Sequence, residues 1–185
     1  MRKLFEYGGI AASIVLIASG AGAIGTGILG VNEVRDTLAR EHIVGTPDSS
    51  IPGQTVDTGS EAKAFASVMR KHTLEITGGQ VYADMGRFLD ENGKPTSDEK
   101  LAAKDPKTSQ PVANPVRDIW VTETALTTAL NTSFFAERVA FFSIVMGAAL
   151  LLTGIGFLIL TLGGALRTRP EVARSTLRSP ASVTN

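Results

Sequence analysis

The chain has no cysteine, so disulfides, thiolate metal sites, cysteine nucleophiles and iron–sulfur clusters are excluded. It has no net charge: 18 basic side chains meet 18 acidic ones, which removes the basic surplus that a nucleic-acid partner wants. Aromatic residues make up only 6%, so a large soluble aromatic core is not expected. Histidine occurs twice, as His42 and His72. Proline is missing before Pro47 and again between Pro115 and Pro170, which leaves both stretches free to be helical. Two further stretches lack charge altogether, and they dominate the sequence.

The first is Tyr7 to Val31, 25 uncharged residues. A membrane-crossing helix needs about 20 apolar residues, whereas the apolar part of a signal peptide is usually about 7–15. Arg2 and Lys3 and the small Ala21-Gly22-Ala23 would suit a signal peptide. The apolar run continues past that point through Ile24, Ile28, Leu29 and Val31, so an uncleaved anchor is expected. The second run is 139–166, 28 uncharged residues with Phe134, Phe135, Phe141 and Phe142 around its start. At 1.5 Å per residue it reaches ~42 Å, enough to cross a ~30 Å hydrocarbon layer with margin.

Arg2 and Lys3 precede the first run, and Arg167, Arg169, Arg174 and Arg178 follow the second. The segment between carries 12 basic and 16 acidic residues. The positive-inside rule therefore predicts cytoplasmic termini and an external middle segment. The expected division is a cytoplasmic N-terminus at 1–6, transmembrane helices at 7–31 and 139–166, an extracytoplasmic segment at 32–138, and a cytoplasmic basic tail at 167–185. The expected location is the plasma membrane, with two passes.

The apolar spacing of Val31, Val34 and Leu38 extends the first helix beyond the bilayer. Gly45 to Gly59 reads as a linker by composition. A second helix is predicted from Ser60 to the Gly78-Gly79 pair, with Ala62, Phe65, Met69, His72 and Ile76 at helical spacing. "QVYADMGRFL" leans to a short helix, the turn-rich 90–115 reads as an exposed loop around one short helical turn, and no strand is expected anywhere in the chain. Asn114-Pro115 reads as the N-cap and first position of a last helix that runs unbroken into the second span. Val116, Ile119, Trp120, Leu126, Leu130 and Phe134 mark its packing face. The fold class is thus an all-α membrane protein: two transmembrane helices extended outside the bilayer, with a small loop-rich helical insert between them.

Neither uncharged run contains an ionisable group, which argues against an ion path or proton relay within one copy. Small residues recur at packing intervals instead: Ala18, Gly22, Thr26 and Gly30 in the first, and Gly147, Gly154 and Thr161 in the second. Such stripes point to helix association, with the two spans of one chain as the first choice and a homo-oligomer or another membrane protein next. Phe65, Met69, Ile119 and Trp120 are core or interface anchors. His72 and Glu75, one turn apart, form a candidate ligand- or pH-sensing pair. The acidic turn "DENGKPTSDE" suggests a calcium loop, but Pro95 stands where such a loop needs glycine. No hydrolase elbow, phosphate loop, dinucleotide fingerprint or zincin motif is present. No catalytic residue, metal ligand or cofactor is expected.

The stretches "LFEYGG", "REHIVGTPD", "MRKHTLEITGGQVYADM" and "NPVRDIWVTETALTTALNTSFFAERVAFFSIVMGAALLLTGIGF" resemble a family of uncharacterised actinobacterial two-span membrane proteins. The resemblance covers most of the chain and is strongest at its ends. It implies an actinobacterial plasma membrane and carries no established activity. Members are sometimes labelled aromatic ring-opening dioxygenases, which would need iron ligands, and here only His42 and His72 supply imidazoles. The residues themselves favour a non-enzymatic accessory, scaffold or interaction subunit of an envelope complex, whose partners are the lipid bilayer and a membrane protein. An extracytoplasmic ligand or pH sensor is the alternative, and a metal-dependent dioxygenase the third.

Overall fold

The computed structural model describes residues 2–163, with side chains from Tyr7 onward. The side chains of 1–6, the end of the second uncharged run and the basic tail lie outside the described residues. Three helices dominate: α1 (Arg2–Arg40), α2 (Gly59–Ile76) and α3 (Val116–Leu162). A short helical turn at Tyr82–Asp84 and two short strands, β1 (Phe88–Leu89) and β2 (Pro95–Thr96), lie between α2 and α3. With no internal proline, α1 and α3 run ~58 Å and ~70 Å. Both are long and apolar enough to cross a membrane. Only 11% and 17% of their most apolar windows are buried, whereas the core helix of a soluble protein would be mostly covered. Phe142, Val145, Leu152 and Ile159 of α3, and Ile14, Val15 and Leu29 of α1, are exposed.

The chain forms two compact units that share the long helices: Met1–Gly22 with Gly147–Asn185, and Ala23–Met146. In the first unit α1 and α3 pair antiparallel through small residues. A Cβ added to Gly154 would stand 2.9 Å from the backbone nitrogen of Ile17, and one on Gly20 2.6 Å from the Gly147 carbonyl oxygen. Glycine there lets the two backbones meet, which is how helices associate where no hydrophobic effect drives them together. The buried hydroxyls of Ser13 and Thr161 donate to the Gly9 and Phe157 carbonyls of their own helices, so neither needs water.

In the second unit, the close approach recurs where Gly27 meets Ala140 and Ile144. Further along, α2 joins α1 and α3 around a core of Leu38, Val56, Ala62, Ala66 and Leu130. Val56 is fully buried, although it comes from the stretch whose composition reads as a linker. That stretch is an ordered loop: Gly45 donates to Gln54, Gly53 donates back to Gly45, and Val56 donates to Ile43. Gly45 packs flush on Ile51, where any Cβ would clash. Helix α2 starts one residue earlier than its spacing predicts, because Thr58 is the cap. The Thr58 hydroxyl accepts from the Glu61 amide, and the Glu61 carboxylate accepts from the Thr58 amide.

The expectation of a strand-free 78–115 segment is corrected by the structure. Phe88 pairs with Thr96 and Leu89 with Pro95, and single bridges join Phe88 to Ala113, Asp90 to Ala102 and Lys104 to Pro111. Strands of two residues are too short to show an alternating pattern. They are made by turn chemistry: the Asp90 carboxylate accepts from the Asn92 and Lys94 amides, and Gly93 takes φ +74°. The predicted short helix within "QVYADMGRFL" shrinks to the turn at Tyr82–Asp84, after which the chain enters β1.

The pairing of the first unit predicts a contrast between two neighbouring glycines. Gly154→Val drives a side chain into the Ile17 backbone and should cost about 1–3 kcal/mol. Gly156→Val meets nothing within 4 Å and should be near neutral. Thermal unfolding in detergent, followed by the single tryptophan, measures both; equal melting temperatures would refute the pairing.

Candidate functional site

The most constrained point of the second unit is Glu137. Its side chain is 3% exposed, yet it carries a charge. Oε1 accepts from Arg35 Nε of α1 at 2.9 Å, and Oε2 accepts from the Gly59 amide at 3.1 Å. The Gly59 amide belongs to the first turn of α2, where unpaired amides and the helix dipole favour an anion. A Cβ on Gly59 would stand 2.8 Å from the Phe134 Cα and 2.9 Å from Glu137 Oε2, so only glycine lets the carboxylate reach. Around it, Lys63 and Arg138 stack on the Phe134 ring, and Arg138 donates to the Ser60 hydroxyl. Burial pushes the nearby Glu61 carboxyl up, but hydrogen bonds from Asp57 and Thr58 outweigh it and leave the pKa lowered.

Beyond this knot lies a half-enclosed cleft of about 580 Å³. Leu38 of α1, Phe65 and Met69 of α2, and Leu126 and Leu130 of α3 form its walls. The turn after α1 carries Glu41 and His42 to its rim, together with Thr37 and Ser133. His42 holds φ +51°, the left-handed region that usually falls to glycine or asparagine after a helix. This is a mostly apolar site with few polar groups, in the size range of small-molecule pockets.

A second polar cluster ties the 46–52 loop to α2. Asp48 Oδ2 accepts from Lys71 Nζ at 2.9 Å and meets His72 Nε2 at 2.9 Å, while Thr46 donates to Oδ1. These contacts hold the Asp48 carboxyl well below the usual carboxylate range, Lys71 first and His72 second. The same bond to Asp48 raises Lys71. Glu75 lies 3.8 Å from Lys71, so His72 and Glu75 engage different primary partners.

At the start of α3, Trp120 is 3% exposed and donates from Nε1 to the Gln80 carbonyl. Arg117 donates to the Met85 carbonyl and stacks on Tyr82, and Asn114 Oδ1 accepts from the Val116 amide as a cap. Trp120 is thus a core anchor that seats the strand lobe, with Arg70 over its ring. One turn on, Glu123 is 4% exposed and accepts from the Thr124 hydroxyl, and it faces a small cleft shared with Lys63 and Arg70.

The structure brings Gly147 and Gly154 against α1, sets Gly30 beside Ala140, and leaves Gly22 and Thr26 on an exposed face. Phe65 and Met69 are partly buried at the cleft, and Ile119 is half-buried beside Glu123. Asp90 and Asp98 of the acidic turn spend their carboxylates on backbone amides. His42 and His72 have separate surroundings, and no group of three or more His, Asp or Glu is arranged to hold a metal among the described residues. Glu123, Glu137 and Asp48 escape the sequence analysis. Glu123, Leu130 and Glu137 are seven apart along the apolar stripe of α3, and charge on such a stripe is the signal that reveals two of them. Asp48 has no local signal, because its partners lie 23 and 24 residues away. No protein-family model, curated protein or solved structure matches the chain.

Two predictions follow the charges. Glu137→Ala leaves Arg35 unpaired and the Gly59 amide without its acceptor, and should cost about 2–3 kcal/mol, since Arg35 is half-exposed and regains some water. Thermal unfolding tracked at Trp120 gives the value, and an unchanged midpoint would remove Glu137 from its place as the tie. For Asp48 the folded pKa is depressed, so its contribution is present above the usual carboxylate pKa and is lost only as pH falls through the depressed value. On the Asp48 account the loop tie therefore holds across neutral pH and fails in strong acid. Asp48→Asn should speed exchange of the Ser49 and Gln54 amides at neutral pH, whereas unchanged exchange would show that the cluster does not hold the loop.

Proposed function

We propose that the chain is a non-enzymatic integral membrane protein of the plasma membrane: a helical hairpin that crosses the bilayer and carries an external helical head. The head serves as an interaction module, an accessory or scaffold subunit of an envelope complex. The observation that carries the reading is the apolar exposure of both long helices beside a head with its own packed core. Water would not tolerate contiguous faces of that size, and lipid would. The polar groups that the hairpin does bury are satisfied within their own helices, as a bilayer requires. The charged knot of Arg35, Glu137, Arg138 and Lys63 falls where the uncharged runs end, next to aromatic Phe134. That is the composition of a membrane interface.

An external pH sensor is the second reading, and the shared Asp48 carboxylate favours it. Protonation of His72 would place a second cation on an oxygen that already holds Lys71, tightening the loop on α2.

Because the chain has no cysteine, single cysteines report topology without a background. Ser97→Cys lies in the exposed turn of the head, and Ser175→Cys in the basic tail. In intact cells a membrane-impermeant maleimide should label the first and spare the second until the cells are broken. Alkaline carbonate should leave the protein in the pellet. Labelling of both in intact cells, or extraction by carbonate, would overturn the two-pass reading.

A further inference from the structure

We propose that the cleft beneath the 41–44 turn is a lipid site: it takes the aliphatic chain of a bilayer lipid whose polar end is neutral or carries an amine. The inference rests on the membrane reading above and names a ligand for the head. Three observations carry it. The first is the cavity, about 580 Å³, half-enclosed and walled by Leu38, Phe65, Met69, Leu126 and Leu130. Leu126 keeps 48% of its surface exposed inside a concave apolar wall, and Val44 at the rim keeps 51%. An apolar occupant would remove that surface from water at about 25 cal/mol per Å². Met69 lets the wall adapt to a flexible chain.

The second observation is position. Leu38 lies seven residues past Val31 and Ser133 five before Arg138, so the lower lip stands only ~8–10 Å from the ends of the uncharged runs. Outside that level one face of α3 carries Leu126, Ala129, Ser133 and Ala136 at intervals of three and four, before Ala140 packs against Gly27 and Gly30 of α1. Every member is small or apolar, and none is charged.

The third is the rim. His42 is held at φ +51°, a left-handed conformation that an L-residue adopts under strain, and here it fixes the polar rim over the cavity. Glu41, Thr37 and Ser133 accompany it, and no Lys or Arg lines the cleft. A carboxylate with no lining cation beside it disfavours a headgroup of net negative charge at the rim and favours one without net charge or with an ammonium.

The test uses the full chain in bilayer nanodiscs of phosphatidylcholine. A trace of phosphatidylethanolamine carries a diazirine at the end of one acyl chain. After irradiation and digestion, mass spectrometry should find adducts on peptides covering 38–44, 65–69 and 126–133, besides those on the two spans. Ala129→Phe fills the cleft from an exposed position and should reduce the cleft adducts about tenfold, leaving adducts around Leu152 and Ile159 unchanged. Trp120 fluorescence checks that the variant is folded. The same label on phosphatidylglycerol should give several-fold fewer cleft adducts; equal labelling overturns the headgroup assignment. Adducts on the spans alone, or cleft adducts indifferent to Ala129→Phe, overturn the lipid site while leaving the membrane reading intact. Absence of adducts from the spans as well would mean that the membrane reading itself has failed.

Discussion

One carboxylate holds the second unit together. Glu137 is almost fully buried, and a buried charge survives only when its compensation is built in. Three separate elements supply that compensation: a guanidinium from α1, the first-turn amide of α2, and the backbone of α3 that positions the acid. The neighbouring chemistry follows from this demand. Residue 59 is glycine because the carboxylate and the α3 backbone occupy the space of a side chain. Thr58 and Glu61 cap each other's amides, and the Gly59 amide goes to Glu137. A hydrophobic contact at this point would give similar stability without fixing α2 to one place. The Gly59 amide fixes α2, since a slip along α3 would take that donor from the buried Glu137 oxygen, while the Arg35 ion pair fixes α1.

The two units are held by different physics. In the Met1–Gly22 and Gly147–Asn185 unit the contact is backbone on backbone, made at Gly20 and Gly154, with the large side chains turned outward. That arrangement gains dispersion and gives up hydrophobic burial, a poor bargain in water and a sound one in lipid. In the Ala23–Met146 unit the head buries Leu38, Val56 and Leu130 in the ordinary way and closes its loops with hydrogen bonds. Satisfying the loop amides matters there, because the 43–56 loop contributes Val56 to the core and its backbone goes with it.

The helical framework was legible because its signals are local. Charge-free length, absent proline and the Asn114 cap each act within a few residues, and α2 and α3 start within one residue of the expected positions. The packing register of α1 was less legible. Small residues crowd that helix, and an interval of four through Gly22 and Thr26 competes with an interval of seven through Ser13, Gly20 and Gly27. The buried positions Ser13 and Gly20 in one unit and Gly27 in the other follow the interval of seven. What stayed hidden depends on distant partners. Asp48 gains its role from α2, Glu137 from α1 and α2, and the strand bridges from turn geometry that leaves no alternation. The linker composition of 45–59 misleads for the same reason: glycine and proline mark a change of direction and say nothing about whether the turn is packed.

The cleft is a place where this chain declines an easy gain. Ala62 and Ala66 bring α2 close to the core, and Phe65 and Met69 on the adjoining row stop short of full burial. A larger residue at position 129 would fill the gap and add apolar burial at little cost, and the chain has alanine. At the same rim His42 adopts a conformation that glycine would adopt without strain. Either feature alone is a local imperfection of the sort most proteins tolerate. Together, an unfilled apolar cavity and a strained polar residue at its mouth depart from the stability optimum in one cleft. Elsewhere in the head many local choices agree with the fold: the capping box, the Asn114 cap, the Asx turn at Asp90 and the buried Trp120 with its acceptor. Ser109 in a distant turn also takes φ +55° and Glu123 is a buried acid, so backbone strain alone marks no site, and it is the open apolar cavity beside His42 that fits one kept for an occupant.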